Sequence, residues 1–317
     1  MQHTDELYMR RCLQLAANGQ QRAKPNPMVG AVIVADGRII GEGYHERCGE
    51  GHAEVQAFAS VVPADESLLR EATMYVSLEP CSHYGKTPPC ADLIVRKGVR
   101  RVVVGCVDEY AEVSGRGIER LRSSGIEVVT GVLEKECQWL NRRFFTFHRE
   151  HRPYIILKWA QTANGFIDDN FLPAQISNDF TRMLSHKLRA EEDAILVGRV
   201  TNERDHPQLN VRYWHGRDPK RLVVDHNHRL NLESLYAHSI QSLIVEGGAV
   251  TLQSFIDEGL WDEMRVEVAP ITFAGGTRAP QIPSDAEVIG SEVYDGNTIT
   301  TFARSRQESL PTPVSAT

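Results

Sequence analysis

Gly51-His52-Ala53-Glu54-Val55 and Glu79-Pro80-Cys81-Ser82-His83-Tyr84-Gly85-Lys86-Thr87-Pro88-Pro89-Cys90 are the two stretches around which the chain is organised. Among their side chains are the His52 imidazole, two thiols (Cys81 and Cys90) and a carboxylate two residues past that imidazole (Glu54). Three such donors with a free fourth position are what a zinc ion needs to activate water, and a nearby carboxylate can move the protons. Residues i and i+2 diverge on a helix, so Glu54 is placed as a proton carrier and not as a ligand beside His52. A closed structural zinc would need a fourth Cys or His at ligand spacing. His83, between the cysteines, is open either to that role or to contact with a substrate.

The neighbouring sequence places these groups on α/β elements. The apolar run 74–78 is a short strand, and Cys81 follows it directly after Pro80. Pro88-Pro89 set Cys90 at the start of a helix that Gly98 ends, where unpaired N–H groups favour a thiolate. His52 opens a helix with apolar positions Val55, Phe58, Ala59 and Val62. Upstream, Thr4 is expected to cap a helix with the face Met9, Cys12, Leu13 and Ala16, which Gly19 stops. Lys24-Pro25-Asn26-Pro27 is a rigid turn before strands at 31–34 and through Ile39 and Ile40. The Asn26 amide suits either a plain turn or a heterocycle edge. Strands at 102–104 and 128–129 flank a helix opened by Gly115-Arg116-Gly117-Ile118, which argues for a layered α/β domain.

At 317 residues the chain has room for two domains, and the alternation repeats in the second half. Strands are expected at 155–159, 194–197, 222–224, 243–245, 264–268 and 288–293, with helices at 179–190 and 252–259. The basic and aromatic run 141–152 is expected to form a linker helix docking its aromatics on both domains, in preference to a single-stranded nucleic-acid site. With 35 basic against 42 acidic side chains, the net charge of −7 offers no general attraction for nucleic acid or an anionic membrane, so a phosphate must be met by a local basic cluster. The N-terminus lacks the pattern of a secretory leader, no run reaches the length of a membrane span, and the cysteines show no disulfide framework. The expectation is a soluble cytoplasmic protein.

Pro-Asn-Pro-x-Val-Gly, His-Ala-Glu-Val, the 79–90 stretch and Gly-Arg-Gly, in that order, resemble the bifunctional deaminase-reductase family of riboflavin biosynthesis. Ordinary zinc deaminases have Cys-x-x-Cys, and the longer loop carrying Lys86 and Thr87 sets this pattern apart. The resemblance implies a cytidine-deaminase-like three-layer domain (1–148), then a dihydrofolate-reductase-like α/β domain (149–306); the polar, Pro-containing tail (307–317) is expected from its composition to be disordered. The resemblance implies zinc on His52, Cys81 and Cys90, with Glu54 as catalytic acid/base. It also implies a substrate, a diaminopyrimidinone bearing a ribosylamino 5′-phosphate, lined by Asn26, His45, Lys86 and Thr87. Asp108, and a phosphate contact from Lys86 or Arg116, complete that site.

For the second domain the resemblance implies NADPH held by Ala160, Thr201, Asp205 and the segment Gly248, Ala249, Val250, Thr251, Leu252, Gln253 and Ser254. Lys158, Arg189, Leu209, Arg212 and Glu246 would meet the ribosyl substrate. No Gly-x-Gly-x-x-Gly is present, although Gly247-Gly248 between a strand and a helix suits close approach of a pyrophosphate. A homodimer or larger homo-oligomer is a further expectation from the family. The sequence departs from the family pattern at Asn164, His206 and His226, and at Asp108-Glu109-Tyr110-Ala111, where Asp-Pro-Asn-Pro is common. Only fourteen residues separate Asp225 from Ile240, where a strand and a helix are usual, so either a unit is lost or a segment is missing. A deaminase with a degenerate second domain and a nucleic-acid base deaminase are the competing expectations.

Overall fold

The computed structural model describes residues 2–82, 88–108, 115–225 and 230–304. Two compact units divide it, Met1–Arg149 and Glu150–Thr317.

In the first unit α1 (Gln2–Ala17) precedes β1 (Gly30–Ala35) and β2 (Arg38–Tyr44), then α2 (Ala53–Ala59) and a 3₁₀ stretch at Pro63–Glu71. There follow β3 (Thr73–Leu78), α3 (Cys90–Lys97), β4 (Arg101–Cys106), α4 (Arg116–Ser123), β5 (Glu127–Thr130), α5 (Glu134–Leu140) and α6 (Arg142–Glu150). The five strands lie in the order β2-β1-β3-β4-β5, antiparallel on either side of β1 and parallel from β3 to β5. Alternation along β1 sends Ala31, Ile33 and Ala35 into a core with α2, α3 and α4, and Val32 and Val34 into another with Met9, Cys12, Cys137 and Phe145. These are the three layers expected. Two details differ. Thr4 lies inside α1 instead of capping it, because the helix begins at Gln2. The buried face of α2 is Ala53, Glu54, Ala57 and Phe58, while Val62 is exposed, because the helix stops at Ala59 ahead of Pro63.

That face fits because β2 carries glycines beneath it. A Cβ on Gly41 would stand 2.5 Å from Ala57 O, and one on Gly43 2.5 Å from Gln56 Cβ. Backbone-to-backbone packing of this kind fixes the height of α2 over the sheet, and with it His52 and Glu54.

The second unit runs β6 (Tyr154–Thr162), α7 (Asp179–Glu191), β7 (Ala194–Gly198), α8 (Arg199–Asp205), β8 (Lys220–Val224), α9 (Leu232–Ala237), β9 (Ser242–Val245), α10 (Ala249–Asp257), β10 (Glu263–Ala269), β11 (Ala286–Tyr294) and β12 (Asn297–Arg304). Its sheet order is β11-β12-β10-β6-β9-β7-β8, parallel from β10 to β8, with β11 and β12 as an antiparallel hairpin at the other end. α8, α9 and β12 were not expected from the apolar pattern. The shortened region after Asp225 carries α9, capped by Asn231, whose side chain accepts from Ser234 N–H. His226 and the segment 307–317 lie outside the described residues. Asn164 clips a loop, accepting from Thr162 Oγ1 and donating to Phe273 O, each at 2.8 Å.

Candidate active sites

His52 is the residue before the first turn of α2, in extended backbone at φ −67 and ψ 169. From there its ring reaches the end of β3 and the start of α3, the two elements that supply the thiols. His52 Nδ1 lies 3.5 Å from Cys81 Sγ and 3.5 Å from Cys90 Sγ. Donors about 2.3 Å (sulfur) and about 2.0 Å (nitrogen) from one ion at tetrahedral angles stand about 3.5 Å apart, so the cage fits zinc. The three donor atoms lie within 4.8 Å of one another. The Cys90 backbone N–H donates to Cys81 Sγ at 3.3 Å, which favours a thiolate on Cys81. Hydrogen bonding from Cys90, then from His52, draws the Cys81 thiol well down against burial, while Cys90, beside that sulfur and buried, is driven up. A divalent cation between them would favour both thiolates.

Glu54 is 3 % exposed, and burial, reinforced by Cys81, pushes its carboxyl up to about 7. Cation binding would draw it back down. His45 stands edge-on to His52 with centroids 5.3 Å apart. Its Nδ1 faces Gly51 O at 3.3 Å, so that nitrogen carries the proton, and Nε2 accepts from Asn26 Nδ2 at 3.1 Å. Asn26 is thereby held with its carbonyl oxygen available. Asp108 is buried, and Arg116 is the exposed first residue of α4. Lys86 and Thr87 lie outside the described residues.

Glu79 was noticed only as part of a motif, yet its buried carboxylate organises this rim. Oε2 accepts the N–H groups of Asp108 (3.3 Å) and Gly115 (3.0 Å), and Oε1 those of Gly117 (2.8 Å) and Ile118 (3.2 Å). Gly117 sits so close to Pro80 that a Cβ would stand 2.0 Å from its carbonyl oxygen. The start of α4 is thus tied to the residue preceding Cys81.

A second site lies in the other unit, a cavity of about 350 Å³ over the ends of β6 and β9. Nine of the expected reductase residues line it: Lys158, Ala160, Arg189, Thr201, Asp205, Leu209, Arg212, Glu246 and Gly248. Arg189 grips Glu246 through Nε and Nη2, each at 2.7 Å, with Lys158 Nζ 3.9 Å from the same carboxylate. Burial opposes ionisation of Glu246, but Lys158 and Arg189 outweigh it and hold the carboxyl at about 2. Gly248 precedes α10, whose Ala249, Val250, Thr251, Leu252, Gln253 and Ser254 do not line the cavity. Leu252 is fully buried in the core, Val250 is 85 % exposed, and Gln253 accepts from Gln281 N–H. Arg182, Ser185 and His186, which also line the cavity, were missed. With Arg189 they recur at i, i+3, i+4 and i+7 on α7, a polar stripe on its inner face that the spacing alone could have shown.

Known proteins carry the same two parts. Residues 2–106 match the cytidine and deoxycytidylate deaminase zinc-binding region, and residues 153–234 and 230–297 the RibD C-terminal domain, in two pieces that meet at the shortened region. The riboflavin biosynthesis protein RibD of Aquifex aeolicus is 38 % identical over 313 residues, covering 84 % of this chain and 87 % of that protein. The chain belongs to the RibD family. Among RibD proteins, that of Escherichia coli K12 is 41 % identical over 240 residues, 71 % of this chain and 64 % of its own length. The crystal structure of a diaminohydroxyphosphoribosylaminopyrimidine deaminase/5-amino-6-(5-phosphoribosylamino)uracil reductase from Thermotoga maritima superposes with a TM-score of 0.87 at 34 % identity, covering 96 % of this chain and 99 % of that one. Acinetobacter baumannii RibD superposes at 0.85 with 30 % identity, covering 96 % of this chain and 100 % of that one. Near-complete coverage of these RibD structures means that the short Asp225–Ile240 region has not cost the reductase fold.

Proposed function

We propose that this chain performs two steps of riboflavin biosynthesis: hydrolytic deamination of a diaminopyrimidinone carrying a ribosylamino 5′-phosphate, then NADPH-dependent reduction of its ribosyl group to a ribityl chain. The observation carrying the first step is His52 Nδ1 at 3.5 Å from both thiols with the buried Glu54 carboxylate alongside. When bound, zinc supplies a water acidic enough to attack at neutral pH. Glu54 takes the proton released as water adds to the amine-bearing ring carbon and returns one to the departing ammonia, so one water is consumed and one ammonia released. His45, its tautomer set by Gly51 O, holds Asn26 so that the amide presents an acceptor to the pyrimidine edge. Arg116, one residue before the Gly117 N–H that Glu79 fixes, is a cation for the phosphate, with Lys86 and Thr87 as further contacts.

When bound in the second cavity, NADPH would supply the hydride. Ala160, Thr201, Asp205 and Gly248, which line the cavity, would hold the cofactor, and Gly248 before α10 suits the approach of a pyrophosphate to the backbone N–H groups there. Lys158, Arg189 and Glu246 form a charged triad suited to the sugar hydroxyls, and Leu209 adds an apolar part of the lining. Among the described residues no helix is long and apolar enough to cross a membrane, and all six cysteines are free, which supports a reducing cytoplasmic setting. Incubation with the diaminopyrimidinone phosphate tests both steps. Ammonia should appear without NADPH, and nicotinamide absorbance should fall only when NADPH and deaminated product are both present. Ammonia release with no NADPH oxidation would leave a deaminase with an inactive second unit.

A further inference from the structure

The second cavity carries more positive charge than its own carboxylates offset. Lys158, Arg182, Arg189, Arg204 and Arg212 line it against Asp205 and Glu246, in a chain whose net charge is −7. Three of these cations are committed. Arg189 spends its fork on Glu246, and Lys158 leans on the same group. Arg204 is held by Asp205 at 2.6 Å and by Asp168 at 3.1 Å.

Arg182 and Arg212 are different. Arg212 donates from Nη1 to Asn210 Oδ1 at 2.8 Å, a neutral partner, and pairs with no carboxylate among the described residues. Arg182 pairs among them only with Asp179, an i,i+3 neighbour whose side chain is 88 % exposed. Such a pair contributes little and is readily exchanged. The two guanidiniums share one ring, with Cζ of Arg182 5.0 Å and Cζ of Arg212 5.1 Å from the Tyr213 centroid. His186 stands edge-on to that ring at 4.8 Å and accepts the Arg212 backbone N–H on Nδ1 at 3.2 Å. Burial, then Arg189 and Arg212, holds His186 down at about 4, so it stays neutral and leaves the charge of this corner to the two arginines.

We propose that Arg182, with Arg212, binds the phosphate monoester of the ribosylamino substrate during reduction, making Arg182 a specificity-determining residue of the second site. A dianion is best met by two guanidinium forks with N–H donors to spare, and this corner of the cavity supplies both. The assignment rests on the reductase function proposed above. NADPH also carries phosphate, so the test must separate the two sources.

Steady-state NADPH oxidation by the full chain is measured with the deaminated ribosylaminouracil bearing its 5′-phosphate and with the same compound lacking it, for wild type, Arg182→Met and Arg182→Lys. NADH replaces NADPH in a parallel series. In Arg182→Met the kcat/KM preference for the phosphorylated substrate should fall about 10- to 100-fold, mostly through KM. Arg182→Lys should recover part of it, and the NADPH-over-NADH preference should stay as in wild type. An unchanged phosphate preference in Arg182→Met overturns the assignment. A fall in the NADPH preference instead gives Arg182 to the cofactor and overturns it equally. Wild-type inactivity on both substrates defeats the reductase function itself, and the assignment with it.

Discussion

Arg189 and Glu246 meet through two 2.7 Å hydrogen bonds, with side chains only 12 % and 11 % exposed, so a charged pair on α7 and the end of β9 closes the floor of the second cavity. Removing one partner strands the other. Arg189→Met should destabilise the chain by about 3–5 kcal/mol in urea unfolding, because a buried carboxylate is left with Lys158 alone. A loss below about 1 kcal/mol would mean that Lys158 suffices.

The same pair has an acid signature. The Glu246 carboxyl titrates at about 2 when folded, against about 4.3 in an unfolded chain. A depressed folded value contributes stability that is fully present above the unfolded value and is lost as pH falls through the folded one. Unfolding midpoints of wild type should therefore drop between about pH 4.5 and 2, and Glu246→Gln should flatten part of that slope, on the order of 3 kcal/mol.

Glu54→Gln keeps the shape of the side chain and removes its basicity. Deamination should fall by about 10²- to 10⁴-fold while metal analysis still finds about one zinc per chain. Loss of the metal would make Glu54 part of the cage instead. Chelation of wild type should stop ammonia release and spare NADPH oxidation on deaminated substrate.

A side chain on the β2 glycines should act at a distance. Gly43→Val places atoms where Gln56 Cβ and the Ala57 backbone stand within 2.6 Å of the new Cβ. The helix must lift, carrying His52 away from the two thiols. Zinc content should drop together with a stability loss of about 1–3 kcal/mol, whereas Val62→Ser, at an exposed position, should leave both as they are.

Much of this was legible because the signals are local. Buried strands such as β1 and β9 are apolar runs, and the metal donors sit where a strand ends or a helix begins. β12, Asn297-Thr298-Ile299-Thr300-Thr301-Phe302-Ala303-Arg304, has neither an apolar run nor clean alternation, and its place is set by pairing with β10 and β11. α8 buries no residue, so no apolar stripe announces it. Arg182 and His186 are hard to read from sequence because apolar positions announce a helix and these two mark its polar inner face. Glu79 escaped because its partners are backbone N–H groups, which leave no trace in residue type. Leu252 shows the opposite case: it falls within a matched segment, but its side chain serves the core.

One oxygen of Glu79 receives the N–H of both Asp108 and Gly115. Asp108, just after β4, and Gly115, just before α4, are therefore clamped to a single atom. A single carboxylate oxygen thus fastens the end of one element to the start of the next, so Glu79→Gln should loosen Asp108 and the first turn of α4 together while the three zinc donors stay in place.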